Sequence, residues 1–155
     1  MIWDRLDKDL VFTGIDGTES NDILKYLGGA LVKSGYCKES FVDALAKRES
    51  QNPTGIDMSG FGIAIPHTDI SHVIKDGIAI GTLNNPVRFV AMGTDDEFVD
   101  VKVVFALAIT DPIAHLAQIQ TLISILQDPN VLESIWLSNS PEAIIGTIKH
   151  KESLL

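Results

Sequence analysis

The stretch that most narrows the fold is residues 99–109, VDVKVVFALAI, which closes on an unbroken apolar run. A strand with one wet face alternates polar and apolar side chains, whereas a run without alternation needs cover on both faces. The run is strand-sized, far short of the roughly 20 residues that would span a bilayer. Shorter strands are expected at 63–65, 77–83 and 87–90, and an extended segment with glycine turns within 1–18, carrying LVFTGIDG.

Helices on either side in sequence supply the cover. Ser20 reads as an N-cap, followed by Ile23, Leu24, Leu27, Ala30 and Leu31 at helical spacing, and Gly35 closes that helix. A second helix is expected near 39–48, with Phe41, Val42, Leu45 and Ala46 inward and Lys47-Arg48-Glu49 at its C-terminal end. The intervening SQNPTGIDMSG reads as loop, because Pro53 restricts Asn52 and Gly55 and Gly60 supply turns. After the long strand, Asp111 as cap and Pro112 at the first helical position start a helix continued by Ile113, Leu116, Ile119, Ile123 and Leu126. Another follows Pro129, with Val131, Leu132, Ile135 and Trp136 inward, and a last one is capped by Ser140 with Pro141 behind it. Helices, then strands, then helices, with no repeat or linker, imply one α/β or α+β domain over 1–155, with helices on both faces of a central sheet.

Charge limits the partners. Twelve Lys plus Arg stand against 21 Asp plus Glu, a net −9, and no basic cluster exceeds Lys47-Arg48. Such a surface repels phosphate backbones and anionic lipid, so nucleic acid and membrane surfaces are poor partners and a basic protein partner suits the charge better; with no apolar run long enough to span a bilayer, no direct membrane insertion is expected. The single cysteine, Cys37, allows no intramolecular disulfide and fits a reducing compartment. The opening MIWDRLDKDLVF lacks the apolar core of a signal peptide, so a soluble, cytoplasmic protein is expected.

Residues 60–69, GFGIAIPHTD, end a short apolar run on a histidine. Pro66 cannot donate to a ladder, so the strand stops there or runs on a sheet edge. Side chains just past strand C-termini are where open α/β sheets hold ligands. The plain alternative for His67 is a half-buried structural histidine bonded to a carbonyl. His115 falls at the end of the first turn of its helix, where the positive helix end favours a neutral imidazole or a nearby anion; alternatively it is an exposed residue on the polar face. Arg48 is either an anion ligand or a partner of its own helix's last carbonyls. Together the three suggest an anion site. No His-x-His or H-E-x-x-H pair occurs, so a zinc site, or a metal-dependent hydrolase built on His67, His72 and His115 with Asp69, would need distant segments to converge. His72 and His150 read as surface residues.

The segments KRESQNPTGI and GFGIAIPHT resemble the signature of the bacterial sugar phosphotransferase (PTS) enzyme IIA proteins of the fructose/mannitol type: Arg-Glu, a spacer, Thr-Gly, then Gly-Ile-Ala-Ile/Val-Pro-His. Downstream, VKVVFALAITDPIAHLAQIQTLISILQDPNVLESI is similar to that family's apolar strand and a helix opening on His-Leu. The resemblance runs from about residue 5 to 150 and implies the same fold, a single α/β domain with a central mixed sheet flanked by helices on both faces. It also implies a phosphoryl relay in which His67 takes phosphate from the histidine phosphocarrier protein HPr and hands it to a cysteine of enzyme IIB, which serves the membrane permease enzyme IIC. Arg48 and His115 match the family's other active-site positions, with Glu49, Thr54 and Thr68 in support; Thr68 departs from the usual Ala or Gly. No metal or cofactor is implied. NPTGI and PHTDISH lean toward the galactitol-type branch. The alternative within the family is a nitrogen-regulatory type signalling through its phosphorylation state; a domain without an attached DNA-binding or membrane segment suits the relay better.

The resemblance also implies a reason for the chemistry at Pro66-His67. Neutral imidazole attacks a phosphoryl donor readily and forms a phosphoramidate that passes the group on. The loose transition state needs positioning and charge neutralisation, which a guanidinium fork and a ring N–H provide. Both partners must reach the same ring in turn, so His67 is expected in a shallow depression. Its rim acids would be Asp69 first, then Asp95, Asp96 and Glu97.

Overall fold

In the computed structural model, Asp4 and residues 6–155 are described, except for the side chains of Pro112, Ala114 and His115. The first three residues and Arg5 of the expected amino-terminal segment lie outside the described residues. Along the chain come β1 (Leu6–Ile15), α1 (Ser20–Lys33), α2 (Phe41–Gln51), β2 (Gly55–Met58), β3 (Phe61–Ala64), β4 (Gly77–Val90), β5 (Phe98–Ala108), α3 (Pro112–Leu126), α4 (Pro129–Leu137) and α5 (Pro141–Ser153). The strands form one mixed sheet in the order β1-β4-β5-β3-β2. The β1/β4 and β3/β5 pairs are parallel, whereas β4/β5 and β2/β3 are antiparallel.

The unbroken apolar run is buried on both faces. From β5, Val103, Phe105 and Leu107 join Leu122, Ile125, Leu132, Ile135, Ile144 and Ile148 of α3, α4 and α5. The alternate residues Val104, Ala106 and Ala108 pack with Leu24, Leu27, Leu31, Phe41 and Leu45 of α1 and α2. Alanines at 79, 106 and 108 on that second face leave room for the large leucine and phenylalanine side chains. Two of the expected caps form as read. Asp111 Oδ1 accepts the Ile113 N–H at 2.8 Å, and Ser140 Oγ accepts that of Ala143 at 3.3 Å. At α1, however, the cap is Glu19, and Ser20 is the first helical residue. Asp22 Oδ2 reaches back to the Glu19 N–H at 3.1 Å.

Four expectations change. Part of the segment read as loop is β2, joined to β3 by the two-residue turn Ser59-Gly60. Both turn residues have positive φ, at 55° and 91°, and Asp57 Oδ1 accepts the Gly60 N–H at 2.7 Å. The α2 helix runs on to Gln51, so Arg48 lies in its last turn and Glu49 inside it. Ile113 and Leu116, expected inward, are 83% and 59% exposed. The strands expected at 77–83 and 87–90 are one strand whose pairing with β5 breaks between Thr82 and Val87, where Pro86 has no N–H to donate.

That break shapes the site. Beyond it, Val87 and Phe89 turn into the α1/α2 core, and the tip of the β4–β5 hairpin folds back toward β2. Ala91 bridges to Gly55, and the Met92 N–H donates to the Gly55 carbonyl at 2.8 Å. Gly55 in turn pairs with Ala64, at the end of β3.

Candidate functional site

Strand β3 delivers His67. Its chain continues through buried Ile65 and Pro66, and the Pro66 carbonyl accepts the Leu107 N–H at 2.9 Å, so the backbone just before the histidine is pinned to β5. Because β3 is an interior strand, Pro66 ends it rather than lying on an edge. The ring is half-buried, and Nδ1 lies 2.8 Å from the Ile65 carbonyl oxygen. A carbonyl only accepts, so Nδ1 carries the proton and the neutral ring bears its lone pair on Nε2. This is the bond that a structural histidine would also make, and in either role it fixes tautomer and orientation.

His67 lines an open depression of about 300 Å³. One wall is the 51–54 turn, and the other is Met92, Gly93 and Thr94 of the hairpin tip. The acids Asp95, Asp96 and Glu97 follow directly and are all exposed. Sequence reading passed over residues 92–94; the signal was Pro86, which marks where the hairpin bends.

Arg48 is exposed, and its side chain makes no hydrogen bond or ion pair among the described residues. Its charge does reach Asp69, two residues beyond His67. The Asp69 carboxyl sits below its ordinary value, first because it accepts from Ser71 and further because of the positive charges of His72 and Arg48. His115 belongs to the first turn of α3, and its ring is outside the described residues. The start of that helix is held by Asp76 Oδ1, which accepts the N–H and the hydroxyl of Thr110 at 2.7 and 3.0 Å.

The other expected residues occupy the walls. Glu49 is buried, and its Oε1 accepts the Thr54 N–H at 2.8 Å. The Thr54 hydroxyl lies 2.9 Å from both carboxylate oxygens. Burial pushes the Glu49 carboxyl above its usual value, against the pull of the Thr54 bonds. Thr68 turns its hydroxyl to the Ala44 carbonyl at 3.4 Å, tying the loop to α2. His72 is half-buried, with Nδ1 2.8 Å from Ser40 Oγ and its carbonyl accepting from the Lys38 N–H at 2.9 Å, which anchors the 68–76 connection. Among the described residues no group of three or more His, Cys, Asp or Glu is placed to hold a metal ion. No helix among them is long and apolar enough to cross a membrane.

A half-buried imidazole with a fixed tautomer, in an open depression, suits transfer of a small anionic group between large partners. Residues 5–151 match the family model described as "Phosphoenolpyruvate-dependent sugar phosphotransferase system, EIIA 2". The galactitol-specific EIIA component of Escherichia coli K12 is 30% identical over 125 residues, 81% of this chain and 83% of that protein. The crystal structure of IIA mannitol from Escherichia coli superposes with a TM-score of 0.77 at 25% identity, covering 92% of this chain and 97% of that one. The fold is also that of the Escherichia coli mannitol enzyme IIA solved in complex with phosphorylated enzyme IIB, with a TM-score of 0.77, 23% identity, and 94% and 99% of the two chains covered.

Proposed function

Because the chain belongs to the EIIA 2 family of the phosphoenolpyruvate-dependent sugar phosphotransferase system, a family of phosphotransferases, we propose that it is a phosphoryl relay centred on His67. The observation that carries this reading is the Nδ1 bond to the Ile65 carbonyl, which leaves the nucleophilic lone pair on Nε2 of a ring lining the depression. Nε2 attacks the phosphorus of the phosphohistidine on HPr. The new P–N bond forms as the donor's P–N bond breaks, and that electron pair returns to the donor ring. In the second step a cysteine thiolate of enzyme IIB attacks the same phosphorus, and the electron pair returns to Nε2.

The chain's own groups supply position and charge. Arg48 presents a planar fork to the equatorial oxygens, and His115 donates a ring N–H to them. Pro66 limits how the nucleophile is presented. Glu49, Thr54 and Thr68 support the walls, and no metal or cofactor takes part. Exposed Ile70 and Met92, 39% and 47% accessible, form an apolar surround, and the acidic hairpin tip steers basic partner surfaces. The likeness to a galactitol-specific EIIA supports galactitol or a related polyol as the sugar served. That choice is made through enzymes IIB and IIC, since the relay does not touch sugar.

The test is a chase. The chain, charged with labelled phosphate from phosphoenolpyruvate, enzyme I and HPr, is mixed with an enzyme IIB of the galactitol type. Label moving to a cysteine of IIB is the expected result. Label retained on the chain while IIB accepts phosphate from another EIIA refutes the relay.

A further inference from the structure

The 51–54 wall of the depression is held from behind by a buried pair. Glu49 and Thr54 are 9% and 3% exposed, and the bonds from the Thr54 N–H and hydroxyl to the Glu49 carboxylate span 2.8 to 2.9 Å. They close the stretch from Ser50 to Pro53, exposed except for half-buried Pro53, into a short ring of chain, which the Asn52 N–H tightens by donating to the Arg48 carbonyl at 2.7 Å. Three parts of the site meet at this pair. On the helix side, Glu49 directly follows Arg48. Between the two bonded residues lies the wall that faces His67. On the strand side, Thr54 precedes Gly55, whose carbonyl holds Met92 of the opposite wall.

A buried carboxylate is a poor choice for stability alone, because an apolar pair of similar volume fills the space without desolvating a charge. What the carboxylate adds is geometry: two acceptor oxygens in a fixed plane meet two donors of one residue. Resting on the relay reading, we propose that Glu49 and Thr54 are a positioning pair. They set the Arg48 side and the 51–54 wall relative to His67 without touching the phosphoryl group.

The test is single-turnover phosphorylation of the full chain by phosphorylated HPr at increasing donor concentration, with each variant checked for folding by circular dichroism. Thr54→Val keeps shape and N–H but removes the hydroxyl. It should lower the saturating rate constant about tenfold, since errors below an ångström in placement act on the chemical step. The half-saturating donor concentration should stay near the wild-type value, and Thr54→Ser should restore the rate. Glu49→Gln, which leaves one carbonyl acceptor, should lower the same constant and keeps the idea testable if Thr54→Val does not fold. A Thr54→Val chain with a lower melting temperature but an unchanged saturating rate makes the pair merely structural and overturns the proposal. A wild-type chain that takes up no phosphate refutes the relay reading instead, so the two failures are distinguishable.

Discussion

Substituting Gly55 by alanine tests whether the hairpin tip packs back across β2. A Cβ on Gly55 would lie 2.7 Å from the Val90 carbonyl oxygen and 3.3 Å from Phe89 Cβ. To restore a carbon–oxygen separation of about 3.3 Å, the two strands must part by roughly 0.6 Å. The obstacle is backbone, so no side-chain rotation relieves it. The 2.8 Å bond from the Met92 N–H to the Gly55 carbonyl stretches with that movement, and overpacking of this kind costs about 1–3 kcal/mol. Met92, Gly93 and Thr94 retreat with the hairpin and widen the depression on one side. Urea unfolding should report the loss of stability, and single-turnover phosphorylation a rate about tenfold lower. Gly146, in α5, is the control: nothing lies within 4 Å of its added Cβ. Gly146→Ala should stabilise the chain by about 0.5–1 kcal/mol and leave transfer alone. If Gly55→Ala is as stable as wild type to within about 0.5 kcal/mol, the reasoning about the folded-back tip is refuted.

Two further outcomes follow. The Glu49 carboxyl is raised by burial, with the Thr54 bonds opposing, so its folded pKa lies above the unfolded value of about 4.3. Between those values the folded chain holds more protons, and the stability that Glu49 contributes is fully present below the unfolded pKa and lost as pH rises through the folded one. Urea midpoints of wild type minus Glu49→Gln should therefore grow as pH falls from neutral toward about 4, and a flat difference contradicts the burial argument. Arg48→Lys keeps the charge but loses the fork, and should slow phosphorylation roughly tenfold to a hundredfold; unchanged single-turnover rates would remove Arg48 from the mechanism.

What the chain's local chemistry controls was readable from sequence. The run at 103–109 demanded cover on two faces and has it, Pro66 stops β3, and Asp111-Pro112 and Ser140-Pro141 start helices. What depends on distant packing was not. Ser59-Gly60 between Ile56 and Ile63 carried a hairpin signal that Asn52-Pro53 overshadowed, so β2 read as loop. Pro86 falls in the gap between the two strands expected there but gives no direction for the bend, so Met92, Gly93 and Thr94 were not read as lining the depression. Ile113 and Leu116 continue an apolar stripe, yet periodicity says nothing about how far the body beneath extends. At the site, Glu49 reads as the end of its helix, yet it is buried because α2 runs on to Gln51.

The central claim is that phosphate enters and leaves through one nitrogen of one residue. The most direct measurement is to incubate the chain with phosphoenolpyruvate, enzyme I and HPr, count phosphate by intact mass, and locate it by nitrogen-15 and phosphorus-31 NMR, with His67→Ala alongside. The account expects one acid-labile, base-stable phosphate, bonded to Nε2 of His67 while Nδ1 keeps its proton, and none on the variant. A full equivalent on His67→Ala, or phosphate on Nδ1, would contradict it.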